Sequence, residues 1–213
     1  MAEAIAEGEQ LGDLEFIAEE VPRAIAEGLD GARRVANIVR AMKDFSHPDS
    51  DDKTETDLNK GIASTITVAR NEWKYVADVT TIFDDTLPPV VCYPGEVNQV
   101  ILNVIVNAAH SIKEKVKDGD KGTITVITRK RDQSVEIAIS DTGMGIPESI
   151  QSRIYEPFFT TKDVGKGTGQ GLSFAHSVVV KKHQGKIWFE TEPGCGTTFF
   201  IQLPIRQPVA QEE

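Results

Sequence analysis

Cysteine is scarce in this chain: 213 residues hold two, Cys92 and Cys195. Two such distant thiols provide neither a disulfide framework nor metal-ligand spacing, and a reducing cytoplasmic setting is the simplest expectation. Long apolar runs are also missing. The most apolar stretch, Val97 to Ile112, is broken by Asn98, Gln99, Asn103 and Asn107, which excludes a membrane span there. The start, Met1 to Glu7, has no basic residue and no apolar core, so it does not read as a signal peptide. Positive charge is in deficit. Lys and Arg total 23 against 33 Asp and Glu, a net charge of −10. A field of that sign repels phosphate and anionic headgroups, so general nucleic-acid or anionic-membrane binding is disfavoured. A phosphate ligand would need a metal ion and a local cradle. Seventeen Gly and 10 Pro without a repeat exclude collagen-like and mucin-like chains. What is left is an ordinary globular composition, 39% hydrophobic and 26% charged, in a chain long enough to build a sizeable core.

Four stretches are expected. Residues 1–46 form a helical segment, in which Ile25, Gly28, Ala32, Val35, Val39 and Met42 recur at alternating spacings of three and four, one apolar seam of either a helix packed on its own domain or a leg of a helical hairpin or bundle. Residues 47–56 are polar, charged and opened by Pro48, and read as a linker. Residues 57–205 form the main domain, and 206–213 a frayed tail. Within the main domain Asp57 caps a helix, Lys74 to Ile82 reads as a strand, and Pro94 stands at the first position of a long helix. A hairpin follows over Gly122 to Ser140, then a loop-rich stretch from Asp141 to Gly171, a helix over Leu172 to Gln184, and a closing hairpin around Glu192-Pro193-Gly194. Helices and mostly antiparallel strands in mixed order predict an α+β fold, a two-layer sandwich of a mixed sheet with helices on one face.

Three features carry chemistry. Gly165, Gly167, Gly169 and Gly171 alternate but form neither a dinucleotide fingerprint nor a Walker loop, because Gln170, Leu172 and Gly167 stand where those motifs need other residues. The loop nevertheless leads into a helix whose free N–H groups favour an anion. On the long helix Asn103, Asn107 and His110 lie four and three apart and share a face. Asn is a poor mid-helix residue, so two of them line either a hydrogen-bonded polar seam or a ligand site in which an amide oxygen meets a hard cation. Asp141 ends a strand in the turn Thr142-Gly143-Met144-Gly145-Ile146-Pro147, where it either caps the turn or accepts a hydrogen bond from an exocyclic amine.

Taken together these segments resemble the catalytic, ATP-binding domain of bacterial sensor histidine kinases, the ATPase fold shared with gyrase-type enzymes. Asn103-Val104-Ile105-Val106-Asn107-Ala108-Ala109 resembles the N box, Asp141-Thr142-Gly143-Met144-Gly145 the first glycine box, and Glu156-Pro157-Phe158-Phe159-Thr160-Thr161-Lys162 the phenylalanine box. Gly165 to Leu172 resembles the second glycine box, and Gly194-Cys195-Gly196-Thr197-Thr198-Phe199 the closing glycine-threonine motif. Leu29 to Phe45 resembles the second helix of the dimerisation domain.

The resemblance implies two-component signal transduction: Mg-ATP is bound and its γ-phosphoryl group goes to a histidine on a dimerisation helix, with a response regulator downstream. Asn107 would coordinate Mg²⁺, and Asn103, Asn107 and Lys162 would form the catalytic set. Asp141 would read the adenine amino group, with Gly143, Gly145 and Ile146 close by and Thr197 in support. Gly167, Thr168, Gly169, Gln170, Gly171 and Leu172 would present amides to the phosphates. Lys162 and Lys166 would neutralise charge, His110 would face the same site, and Phe159, Thr160 and Thr161 would belong to the lid. Asn103 stands where related hydrolysing ATPases carry a glutamate base, so water activation is expected to be weak. None of His47, His110, His176 and His183 sits in an acceptor box, so the chain is expected to be a kinase core without its acceptor helix. The full parent is expected to be a homodimer, a monomer is one state open to this segment, and no nucleic-acid or membrane contact is expected of it. A serine kinase of the anti-sigma type and a non-catalytic nucleotide-dependent module are the alternatives.

Overall fold

The computed structural model describes residues 20–25, 28–29, 52–116, 120–161 and 169–206. Two compact units divide the chain, Met1–Arg40 and Ala41–Glu213. In the first, residues 20–25 and 28–29 are helical. Val21, Ile25 and Leu29 recur every fourth position there and are all exposed. The seam from Ala32 to Met42 and residues 47–51 of the expected linker lie outside the described residues.

The second unit opens with strand β1, Thr54–Thr56, which pairs antiparallel with β3, Val90–Cys92. The polar Thr-Glu-Thr was expected to be linker; only pairing with a partner distant in sequence makes it a strand. Helix α1, Leu58–Val68, begins where expected, because the Asp57 carboxylate accepts the Lys60 N–H at 3.1 Å. It ends at Ala69 and is followed by the short helix α2, Arg70–Trp73. Strand β2, Ala77–Ile82, starts three residues later than its pattern suggested.

Helix α3, Pro94–Lys115, has Pro94 in its first turn, where the missing N–H costs nothing. Its buried residues, among them Val97, Val100, Ile101, Val104, Ile105, Ala108 and Ile112, recur at spacings of three and four. That face packs on a sheet of β2, β4 (Gly122–Arg131), β5 (Ser134–Asp141), β7 (Gly196–Pro204) and β6 (Lys186–Glu192), in that spatial order. The β2–β4 pair is parallel and the other pairs are antiparallel. Each fully buried aliphatic side chain contributes about 1.5–3 kcal/mol, so the α3 seam is a principal source of stability. The mixed, mostly antiparallel two-layer sandwich agrees with the expectation. Among the described residues no helix is long and apolar enough to cross a membrane.

The helix expected over Leu172 to Gln184 is α-helical only over Gly171–His176, here α5, and continues as a π-helix over Ser177–Lys182. A short helix α4, Glu148–Gln151, precedes it. His183 accounts for the wider turn. Its ring is 0% exposed, its N–H donates to the Val178 carbonyl five residues back, and its Nε2 accepts the Tyr93 N–H at 3.0 Å. Nε2 must therefore be unprotonated, so Nδ1 carries the proton and donates to the Val178 oxygen at 2.8 Å. The ring is therefore a tie between the start of α3 and the end of the π-helix.

Burial pushes the His183 imidazole below its ordinary value, with Lys53 and Lys182 adding to the effect and the Val178 carbonyl and Glu96 opposing it. A base held at a lowered pKa contributes stability that is present above the unfolded value of about 6.5 and lost as pH falls through the folded value. His183→Gln keeps an acceptor toward Tyr93 but does not titrate. Urea unfolding from about pH 7.5 to about pH 5 should show a shallower acid limb for this variant, by up to about 1.4 kcal/mol per pH unit. Parallel limbs would contradict the buried neutral imidazole.

Candidate functional site

The apolar face of α3 is turned to the sheet, which leaves a polar ridge at steps of four: Gln99, Asn103, Asn107, Ser111 and Lys115. Four residues slightly exceed one turn, so the ridge winds slowly round the helix and each member meets a different loop. Gln99 Nε2 donates to Asn103 Oδ1 at 2.9 Å, and Asn103 Nδ2 donates to the Gly171 carbonyl at 3.2 Å. Asn103 thus ties α3 to the first turn of α5, with Leu172 packed on the core beside it. Ser111 Oγ accepts the Met144 N–H at 3.0 Å. Lys115 Nζ donates to the Thr142 carbonyl at 2.8 Å. Asn107 lies mid-ridge, half-buried, and among the described residues nothing hydrogen-bonds its amide. His110 is drawn to the neighbouring short helix, with Nε2 3.7 Å from Glu72 Oε2.

Asp141 closes β5 and is 7% exposed. Its Oδ1 accepts the Gly143 N–H at 2.8 Å. The turn lies flat on α3, since a Cβ on Gly143 would fall 2.2 Å from Ser111 Oγ. Gly145 is in the left-handed region at φ 71°, and a Cβ there would meet the Glu192 carbonyl oxygen at 2.4 Å; both glycines are therefore required. The Ile146 N–H donates to Thr191 Oγ1 at 2.9 Å, and Thr191 Oγ1 is 3.0 Å from Thr197 Oγ1. Desolvation raises the Asp141 carboxyl to about 6, against the Gly143 and Thr197 amides and the Lys115 charge, which favour the anion.

Across the ridge, Phe158 is 71% exposed and adopts φ 66°, a left-handed conformation costly for a bulky residue. Its N–H donates to the Gly169 carbonyl at 2.9 Å, so the chain leaving at Phe158 and returning at Gly169 forms one lip. The Arg153 guanidinium sits 4.4 Å from the Phe159 ring centroid. Thr160, Thr161 and Gln170 are exposed at the same lip. Lys162, Lys166, Gly167 and Thr168 lie outside the described residues.

The structure therefore brings the predicted Asp141, Gly143, Gly145, Ile146 and Thr197 together where the β5 turn meets β7, and separately ties Asn103, on the helix that also carries Asn107, to Gly171. Sequence reasoning missed Gln99, Ser111, Lys115 and Thr191. The first three continue the four-residue spacing of the two asparagines, a signal that was present but had no visible partners.

Comparison with known proteins agrees with this geometry. Residues 93–207, more than half of the chain, match the family described as histidine kinase-, DNA gyrase B- and HSP90-like ATPase. The chain belongs to this ATPase family. Relatives include sporulation kinase E of Bacillus subtilis, 41% identical over 58% of this chain and 16% of its own length. Sensor kinase CckA of Brucella abortus is 36% identical over 81% of this chain and 19% of its own. The chain thus spans less than a fifth of either relative. Among solved structures, the catalytic domain of histidine kinase ThkA matches with a TM-score of 0.62 at 28% identity, over 72% of this chain and 95% of that one. The mycobacterial sensor histidine kinase MprB matches with a TM-score of 0.60 at 25% identity, over 73% and 99%. Membership of an ATPase family implies ATP binding.

The raised carboxyl of Asp141 has a consequence for the free protein. A group whose folded pKa is raised contributes stability that is fully present below the unfolded value, 3.8, and lost as pH rises through about 6. At neutral pH its ionised form therefore destabilises the fold. Asp141→Asn keeps an acceptor for the Gly143 N–H and removes the buried charge. Without nucleotide, this variant should be more stable than the parent at neutral pH by about 1–2 kcal/mol, with the difference vanishing in acid. Thermal unfolding at both pH values checks this.

Proposed function

We propose that this chain binds Mg-ATP against α3 and supplies the γ-phosphoryl group to a histidine on a dimerisation helix, as the catalytic part of a two-component sensor kinase. The observation that carries the reading is the buried Asp141 carboxylate, kept at the end of β5 despite its cost. A desolvated acceptor of this kind suits a donor of fixed geometry, and the exocyclic amine of adenine is one. Ile146 and the Gly143–Gly145 turn would flank the base, with Thr197 and Thr191 behind it.

The described residues contain no cluster of three or more His, Cys, Asp or Glu able to hold a metal. A resident metal centre does not fit them, whereas a cation carried by the triphosphate does: magnesium keeps several waters and takes one or two protein oxygens beside phosphate oxygens. Asn107, whose amide oxygen is unengaged, would supply such a ligand. Bound there, the ion would offset phosphate charge on a protein that is itself −10. Gly169, Gln170, Gly171 and Leu172, with Gly167 and Thr168 before them, would offer backbone amides to the phosphates. Lys162 and Lys166 would add positive charge. The Phe158–Phe159 lip would cover the nucleotide, with Thr160 and Thr161 continuing it.

Asn103 would position rather than abstract a proton. Its oxygen accepts from Gln99, its nitrogen donates to Gly171, and an amide is no base. Water activation is therefore weak. In transfer, an imidazole nitrogen of the acceptor would form the N–P bond while the bond from the γ-phosphorus to the β–γ bridging oxygen breaks and ADP leaves. The three histidines among the described residues do not suit the acceptor role. His110 faces Glu72, His176 packs on Tyr155 with ring centroids 5.2 Å apart, and His183 is fully buried. On this reading the acceptor would be a histidine-bearing dimerisation helix, and a response regulator would receive the phosphoryl group afterwards.

With labelled ATP, the chain alone should bind nucleotide, acquire no stable label and release phosphate only at background rate. An added acceptor hairpin should become labelled through an acid-labile bond. Stable label on the isolated chain would overturn the reading. In calorimetry Asp141→Asn should weaken ATP binding by about tenfold or more, the worth of a hydrogen bond to a charged group, and Asn107→Ala should remove the magnesium-dependent part of the affinity. Unchanged affinity in the Asp141 variant would take Asp141 out of the base site.

A further inference from the structure

Two backbone turns meet beside Asp141. One follows β5, and the other joins β6 to β7. They touch main chain to main chain. The Gly194 N–H donates to the Met144 carbonyl at 2.7 Å, and a Cβ on Gly196 would lie 1.9 Å from the Asp141 carbonyl oxygen. One side chain bridges both turns from outside. Lys115 Nζ lies 2.8 Å from the Thr142 oxygen and 3.3 Å from the Cys195 oxygen. Two carbonyl oxygens converging on one point repel each other, and an ammonium with three donors between them removes that repulsion. We propose that Lys115 is a positioning and specificity-determining residue of the nucleotide site, clamping the two turns that flank Asp141 into one frame and so setting the preference for an amine-bearing base. The inference rests on the adenine reading of Asp141.

A second observation supports it. Asp141 is approached by the Gly143 amide from its own turn, by the Thr197 amide from β7, and from α3 by Lys115, the charged side chain among the described residues that favours its ionised form. A carboxylate accepts from the adenine amine but opposes the carbonyl that hypoxanthine presents at the same position. A neutral carboxyl can donate to that carbonyl, so selectivity follows the charge on Asp141, and Lys115 helps to keep that charge. The residue also sits in the last turn of α3, where a cation is favoured by the helix dipole. That alone would explain a lysine at this position, but not its two carbonyl contacts in different turns.

The test uses the whole chain with Lys115→Gln and Lys115→Arg. The first reading is the titration of the Asp141 carboxyl, followed by carbon NMR without nucleotide. Lys115→Gln should move its midpoint upward by about half to one pH unit, a threefold to tenfold change in its proton affinity. The second reading is affinity for ATP and for inosine triphosphate near pH 7. Lys115→Gln should weaken ATP by about threefold to tenfold and narrow its advantage over the inosine nucleotide, while Lys115→Arg restores both. An unmoved midpoint in a folded Lys115→Gln chain, or an equal loss for the two nucleotides, would overturn the inference. If Asp141→Asn bound ATP as tightly as the parent chain, the adenine reading would fall and the base-selectivity claim with it. An intact Asp141 effect beside an unmoved midpoint would overturn the Lys115 inference alone.

Discussion

The helix α3 must face two ways at once. Its Val, Ile and Ala residues are buried on the sheet, and this fixes its rotation. Once that rotation is fixed, the residues from Gln99 to Lys115 at every fourth position are carried past the start of α5, the β5 turn and the β6–β7 turn in succession. A change of one residue in register would swing the ridge by about 100° and break every one of those contacts. The sheet contributes the complementary constraint, because β5 and β7 pair with Asp141 opposite Thr197, which brings the two turns to the same edge. Helix rotation and strand register together assemble the site from segments far apart in the sequence.

Two features of this unit cost stability. Asp141 is held in a place that disfavours its charge, and Phe158 is held in a conformation that disfavours its side chain. The rest of the unit offsets both, mostly through the aliphatic layer between α3 and the sheet. His183 illustrates the opposite solution: a buried polar ring with both nitrogens satisfied and a neutral state favoured by burial and by the Tyr93 N–H it accepts. Electrostatics also constrain any anionic ligand. A chain of net charge −10 attracts no polyanion at long range, so the proposed triphosphate would depend on local donors and on a cation carried with it.

Much of this was legible in the residues. Asp57 and Pro94 marked helix starts because capping is local chemistry, and the hairpin strands alternated as half-buried strands do. The glycine turn after Asp141 was visible because its conformation demands glycine. Where pairing is non-local, the sequence was silent. Thr54–Thr56 has no strand signal of its own and exists by pairing with Val90–Cys92. The π-helix depends on a buried ring reaching back to Val178 and across to Tyr93, which no period reveals. Ser111 and Lys115 stood in register with Asn103 and Asn107, yet their role needed the distant turns to be in place. Asn103 was read as a substituted catalytic base, and the geometry gives it a tie to Gly171.

The central claim is that the nucleotide sits against the α3 ridge with its base at Asp141. An amide-resolved NMR titration of the chain with Mg-ATP examines that claim without relying on any variant. The account predicts saturable shifts at Gly143, Gly145, Ile146 and Thr197 for the base, and at Asn107, Gly169 and Gly171 for the phosphates. Shifts confined to another part of the sheet, with Gly143 and Thr197 unmoved at saturation, would contradict it.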